Sequence, residues 1–145
     1  MGMQTLTADE YAALAVRARS YRDAHLKALK KQPEYNPKLG VDALCFQRWQ
    51  DNALGGHGLV GALISPCALS LIAIPEPVAL KHPPDTLLLH LPSGLYRLQH
   101  CPLESVAWYQ RVILDDLRGI ESMQEAAQLA QQLMERLMQP SESIS

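Results

Sequence analysis

The side chains best suited to chemistry in this sequence are three cysteines, five histidines and the acidic pair Asp115-Asp116. A cysteine becomes a nucleophile or metal ligand where a neighbouring cation, histidine or helix N-terminus lowers its thiol pKa. Cys67 lies in the apolar run Ile64-Ser-Pro-Cys-Ala-Leu-Ser70, with no Lys, Arg or His within three positions. Pro66 could open an activating helix, yet Leu69, Leu71, Ile72 and Ile74 show no helical stripe. A small packed hydrophobe is the favoured reading. The histidines His25, His57, His82, His90 and His100 make neither HxxxH nor HExxH, and Cys45, Cys67 and Cys101 form no CxxC pair. A metal or cofactor carrier using Cys67, Cys101 and His100 stays open as an alternative. Asp115 and Asp116 are adjacent on extended chain, so they point to opposite faces and make an awkward acid–base pair.

Two further motifs need their context. Gly56-His-Gly-Leu-Val-Gly61 matches GxGxxG, whose glycines must join a strand to a helix that receives a pyrophosphate. Ser65-Pro66 follows too soon for that helix, so glycines in a turn and a tight strand are expected. Ser93 sits in Pro-Ser-Gly, a turn rather than a nucleophile elbow. No nucleophile, base and oxyanion hole assemble, so neither an enzyme nor a bound cofactor or metal is expected.

The elements that would position these residues can be read from periodicity. Thr7-Ala-Asp-Glu10 is a capping box with Leu6 and Tyr11 at the staple positions. Tyr11, Leu14, Ala18, Tyr21, His25 and Ala28 then form one stripe, and Pro33 ends the helix. Ser122-Met-Gln-Glu125 is a second capping box, leading the stripe Ala126, Ala127, Ala130, Leu133, Met134, Leu137 and Met138 up to Pro140. Between them, strands are expected at Asp42–Trp49, His57–Ile64, Cys67–Ile74, Leu87–Leu91, Leu95–His100 and Val106–Leu114. Their spacing of about ten residues, with turns between, favours an antiparallel meander. Leu91-Pro-Ser-Gly94 is a hairpin turn. Pro75 to Pro84 contains four prolines and is expected as a long exposed loop. The fold class is therefore α+β, a meandering, mostly antiparallel sheet packed against long N-terminal and C-terminal helices. One domain is expected over residues 1–139, with a disordered tail at 140–145.

The chain has 145 residues, 48% of them hydrophobic and 19% charged, with a net charge of −2. That composition suits a globular domain and carries no basic footprint for nucleic acid; Lys27, Lys30 and Lys31 merely end a helix. Met1 to Tyr11 lacks the charged and apolar regions of a signal peptide, and Leu6 stands where myristoylation wants Ser or Thr. No apolar run approaches the ~20 residues of a membrane span. A cytoplasmic protein with reduced thiols is expected.

Four segments, taken in order, carry a resemblance. They are Asn36-Pro-Lys-Leu-Gly-Val-Asp-Ala43, Ile64-Ser-Pro-Cys-Ala-Leu-Ser70 with its apolar continuation to Pro75, Leu91-Pro-Ser-Gly-Leu-Tyr96, and Trp108-Tyr-Gln110. Together they resemble the NiFe-hydrogenase assembly chaperones of the HybE/HupJ type, from about Tyr35 to Met138. The resemblance implies a non-catalytic accessory protein that binds an immature hydrogenase subunit during cofactor insertion or before twin-arginine export. The chain departs from the family pattern in two places. Cys67-Ala68 replaces a large aromatic followed by Phe or Met, and Arg111 to Asp115 replaces a Cys-Ser-Leu stretch followed by Ser-Pro. A diverged paralogue with another client is one reading of these departures, and pairing with a more typical relative is a second. Candidate partner-binding residues are Pro66, Cys67 and Leu69, with Trp49, Trp108 and Tyr109 as aromatic anchors; core packing is the competing role for both tryptophans. Hydrogenase subunit precursors or other maturation proteins are the implied partners. A structural or dimerising subunit of a maturation complex is the alternative, and homo- or hetero-oligomers stay open.

Overall fold

The structure, a computed structural model, describes residues 6–51, 56–76, 84–102 and 107–140. Its elements run α1 (Ala8–Lys30), β1 (Asp42–Asp51), β2 (Gly56–Ile64), β3 (Leu69–Glu76), β4 (Thr86–Leu91), β5 (Gly94–Pro102), β6 (Ala107–Leu114) and α2 (Met123–Leu137). Residues 141–145 of the expected tail, residues 77–83 of the expected proline loop and Val106 of the last expected strand lie outside the described residues. Pro75 and Glu76, at the start of that loop, instead close β3.

Helix α1 starts as its sequence dictates. The Thr7 hydroxyl accepts from the Glu10 amide at 3.1 Å, and the Thr7 amide donates to Glu10 Oε1 at 2.8 Å. Tyr11 is 56% exposed, so the staple position does not pack, and Leu6 is buried in the core beneath the helix instead. The buried stripe is Leu14, Ala18 and Tyr21. At α2 only half of the expected capping box forms: Ser122 Oγ accepts from the Glu125 amide, while Glu125 Oε2 accepts from the Glu121 amide. The expectation of two long helices holds for one. Helix α1 has 23 residues and α2 has 15.

Among the described residues the strands form one six-stranded sheet in the order β1-β2-β3-β6-β5-β4, with every pair antiparallel. The central strand β3 is buried on both faces, which explains its continuous apolar run. Leu71 and Ala73 point to one face with Val60, Ala62 and the α2 residues Ala126, Ala130 and Met134. Ile72 and Ile74 point to the other with Leu59, Leu63, Trp108 and the α1 residues Leu14 and Tyr21. The two helices therefore cover opposite faces of a single sheet. At its far edges β1 and β4 approach, where Trp49 Nε1 donates to the His90 carbonyl at 3.3 Å. Because Trp49, Leu89 and Leu91 belong to the cluster that holds α2, the sheet curls around α2, and α1 lies on its outer face.

The GxGxxG glycines lie within β2, not at a nucleotide-binding turn. A Cβ on Gly58 would stand 2.2 Å from the Ile74 carbonyl oxygen, and one on Gly61 would stand 2.3 Å from the Phe46 ring. Phe46 reaches that place because β1 is irregular between Leu44 and Gln47, with Cys45 at φ 59°. Such an irregularity re-aims the side chains that follow it.

Candidate partner-binding surface

The third strand begins at Leu69, two residues later than expected, because Ser65 to Ala68 form the tight turn between β2 and β3. The Ser65 amide donates to the Ala68 carbonyl at 2.9 Å, and Ser65 Oγ accepts from the Cys67 and Ala68 amides at 3.3 and 3.1 Å. Pro66 supplies the fixed φ that the first central position of such a turn favours. Cys67 is thus a turn residue, buried under the end of α1, with its thiol 3.4 Å from the Leu29 carbonyl.

The four sequence motifs act as stitches. Asn36 is buried; its side-chain amide donates to the Leu117 and Ile120 carbonyls, both at 2.8 Å, and its backbone amide donates to the Pro66 carbonyl at 2.9 Å. One residue so ties the α1–β1 connection to the β2–β3 turn and to the segment before α2. In the β4–β5 turn, Ser93 Oγ and Tyr96 OH are hydrogen-bonded at 2.6 Å, and the Ser93 amide donates to the Leu137 carbonyl at the end of α2. Trp108 and Gln110 face α1, where Trp108 Nε1 donates to Gln110 Oε1 and Gln110 Nε2 donates to Ser70 Oγ, both at 3.2 Å. Tyr109 points the other way, and its hydroxyl donates to the Pro84 carbonyl at 2.7 Å.

Every candidate anchor read from the sequence is buried: Trp49, Pro66, Cys67, Leu69, Trp108 and Tyr109. None offers area to a partner while α1 and α2 are in place. The alternative carrier set does not converge either. Cys101 pairs across the ladder with Trp108 on the outer face, whereas His100 pairs with Tyr109 on the inner face. Its Nε2 is buried without a partner among the described residues. Burial and the negative charge of Glu34 push the Cys67 thiol up, and burial also raises Cys45 and Cys101. These thiols are held in the protonated form that neither attacks nor binds metal readily. Among the described residues no three His, Cys, Asp or Glu side chains could share a metal ion. Of the acidic pair, Asp116 is engaged by Arg118, which holds the Asp116 carboxyl down at about 2.

What the structure does expose lies elsewhere. Helix α1 covers the outer face over β1, β2 and β3 and stops at Trp108 and Gln110 on β6. Beyond it, among the described residues, the outer face of β4, β5 and the end of β6 is bare, with Leu88, Leu95 and Val112 each at least half exposed. A groove of ≈ 680 Å³ separates α1 from this surface, with Tyr21 and His25 on one wall and Arg97, Gln99 and Val112 on the other. Sequence reading missed these residues because the leucines of β4 and β5 look like core. The signal was available: Leu95, Arg97 and Gln99 share one face at a period of two, and that face is polar enough to be wet. Both departures from the family pattern, Cys67-Ala68 and Arg111 to Asp115, fall at the same end of the sheet, where β3 pairs with β6 at Leu69 and Leu114.

The class that emerges is a small α+β scaffold that presents a bare sheet surface, with no reactive constellation among the described residues. A family model for NiFe-hydrogenase assembly, chaperone, HybE matches residues 12–144, and the chain belongs to that family. Neither a curated protein nor a solved structure matches the chain. Membership makes this a hydrogenase assembly chaperone by family, and implies a non-catalytic role in which hydrogenase subunits or maturation factors are bound. No helix among the described residues is long and apolar enough to cross a membrane.

Proposed function

We propose that the protein is a cytoplasmic, non-catalytic chaperone that holds an immature NiFe-hydrogenase subunit while its metal cofactors are inserted, or until twin-arginine export is appropriate. The family match over residues 12–144 carries this reading. The bare outer half of the sheet supports it. Leu88, Leu95 and Val112 are interspersed with Arg97 and Gln99, so the surface can bind an unfinished apolar face without being a continuous sticky patch. Maturation of the client would bury its own apolar surface and so weaken the complex.

The six buried candidates take part from beneath in this proposal. Trp108 and Tyr109 fix the path of β6 from opposite faces, Trp49 ties β1 to β4 through the His90 carbonyl, and Pro66, Cys67 and Leu69 shape the end of the sheet. Direct contact through them would require α1 to lift. Affinity purification from the native host tests the function: a hydrogenase subunit precursor should be retained and its cofactor-loaded form should not. Repeated recovery of unrelated proteins alone would remove the client assignment, and equal retention of the loaded form would remove the release step.

A further inference from the structure

The ladder between β5 and β6 is incomplete. It runs from Pro102↔Ala107 to Gln99↔Gln110 and stops there. Beyond that point Gly94 to Gln99 continue to pair with β4, while Val112 and Leu114 continue to pair with β3. Among the described residues no ladder pair joins 94–98 of β5 to 111–114 of β6. Two strand edges thus face each other unpaired in the middle of a sheet, over four to five residues or roughly 15 Å of extended chain. One of the backbone groups there is met weakly by a side chain, with Arg111 Nη1 at 3.5 Å from the Arg97 carbonyl.

The surroundings say what would complete the ladder. Arg97, Arg111 and His25 line the adjoining groove, and none of its lining residues carries a carboxylate. Asp115, one position past β6, is where acidic side chains resume. Leu95 is 62% exposed and Val112 50%, on the face that Arg97 shares. Unpaired N–H and C=O groups select an extended segment. Leu95 and Val112 select apolar side chains, Arg97 selects a carboxylate two positions away on the same face, and Arg111, adjacent to Val112 and so on the other face of β6, selects a carboxylate there.

We propose that the gap between β5 and β6 takes an extended acidic segment of a partner polypeptide as an added strand, carrying acidic and apolar side chains on both of its faces. The Arg111 guanidinium leaves the Arg97 carbonyl and pairs with a carboxylate of the incoming strand, whose backbone replaces it. The proposal rests on the partner-binding reading above and names the chemistry of what is bound.

The full chain can be titrated with a fluorescent nine-residue peptide of Glu-Glu-Val-Val repeats, which puts both residue types on each face, with its Lys/Val counterpart, and with a Glu/Val peptide N-methylated at alternate amides. Glu/Val should bind, should weaken with added salt, and should slow hydrogen exchange at residues 94–98 and 111–114. The Lys/Val and N-methylated peptides should each bind at least about tenfold more weakly, as should Glu/Val to Arg97→Glu or Arg111→Glu. Both arginines are exposed, and an unchanged melting curve shows that the variants fold. Equal binding of Lys/Val, indifference to N-methylation, or exchange protection confined to β1 or β4 would overturn the proposal. Tighter binding after removal of residues 141–145, with competition by that tail as a free peptide, would instead assign the gap to the chain's own end and overturn a partner strand. Client capture separates the two levels. Equal capture by wild type and by the Arg97→Glu/Arg111→Glu variant sinks the gap alone. Failure of wild type to capture any hydrogenase subunit sinks the client reading, and the peptide titration still decides the gap.

Discussion

The outer face of this sheet has two halves that meet at β6 and are put to different use. Under α1 it presents Leu59, Leu63, Ile72, Ile74 and Trp108, all buried, and a small polar network of Ser70, Gln110 and Tyr21 that the helix closes. Past α1 the same face presents Leu88, Leu95, Arg97, Gln99 and Val112, with no helix above them among the described residues. One half is composed for burial and stabilises the fold. The other mixes apolar side chains with cations and amides, a composition that tolerates water and can still be covered. The contrast also explains why the motifs that first suggested chemistry lie where they do: they hold the covered half, and the end of the sheet, in shape.

The largest separation between the halves should come from their largest buried side chain. Trp108 is 1% exposed and packs between the sheet and α1, with a ring-centroid distance of 6.1 Å to Tyr21. Trp108→Ala should cost about 3–5 kcal/mol in equilibrium urea denaturation, enough to unfold a marginal domain. A loss below about 1 kcal/mol would mean that α1 is not a structural cover, and the comparison would collapse.

A second test acts on fit. The Phe46 ring occupies the space a side chain at Gly61 would need. Gly61→Val should therefore destabilise by about 1–3 kcal/mol through overpacking, although valine suits a strand. Phe46→Ala in the same chain should recover part of that loss, a non-additive result expected only for side chains in contact. Strict additivity would show that the glycine is required for another reason.

These two positions also show how far the sequence could be read. Helix starts and strand positions were legible because capping residues and periodicity are local, and each expected strand overlaps an observed one. The Cys67 boundary was misplaced because Ser65 supplies turn hydrogen bonds that no propensity displays. The site was less legible. Burial of Trp49 and Tyr109 depends on the curl that brings β1 to β4 and on contact with Pro84, neither of which is encoded by neighbours in sequence. Gly61 looked like part of a cofactor loop because its partner, Phe46, lies on another strand. The open half was hidden for a related reason: which leucine face of β4 and β5 is covered depends on where α1 and α2 settle.

A smaller effect should distinguish the halves by pH. Glu10 takes the Thr7 amide and is held by Arg48 of β1 through two hydrogen bonds of 2.6 and 3.0 Å, clamping the start of α1 to the covered half. The Thr7 amide, and after it the Arg48 guanidinium, hold the Glu10 carboxyl below its ordinary value of 4.5. A carboxyl lowered on folding contributes its stability above the unfolded value and loses it as pH falls through the folded one. The difference in melting temperature between wild type and Glu10→Gln should thus be steady at neutral pH and shrink below about 4.5. A difference that grows on acidification would show that Glu10 is not held as a carboxylate. Asp116, held at about 2 by Arg118, is common to both proteins.

The smallest effect is expected where the surface is bare. Leu95→Ser and Val112→Thr replace side chains that are 62% and 50% exposed, so folding recovers little water-excluded area from either. Threonine also keeps the β-branching that suits a strand. Each variant should stay within about 0.5 kcal/mol of wild type in urea, while the double variant weakens client capture. This pairing is the sharpest form of the comparison, because substitution in the covered half changes stability first and binding only through it. If instead Leu95→Ser and Val112→Thr destabilise by more than about 1.5 kcal/mol, the second half is packed in the folded chain as well. The surface available to a client would then have to be opened before it could be used, as α1 would have to be lifted from the first.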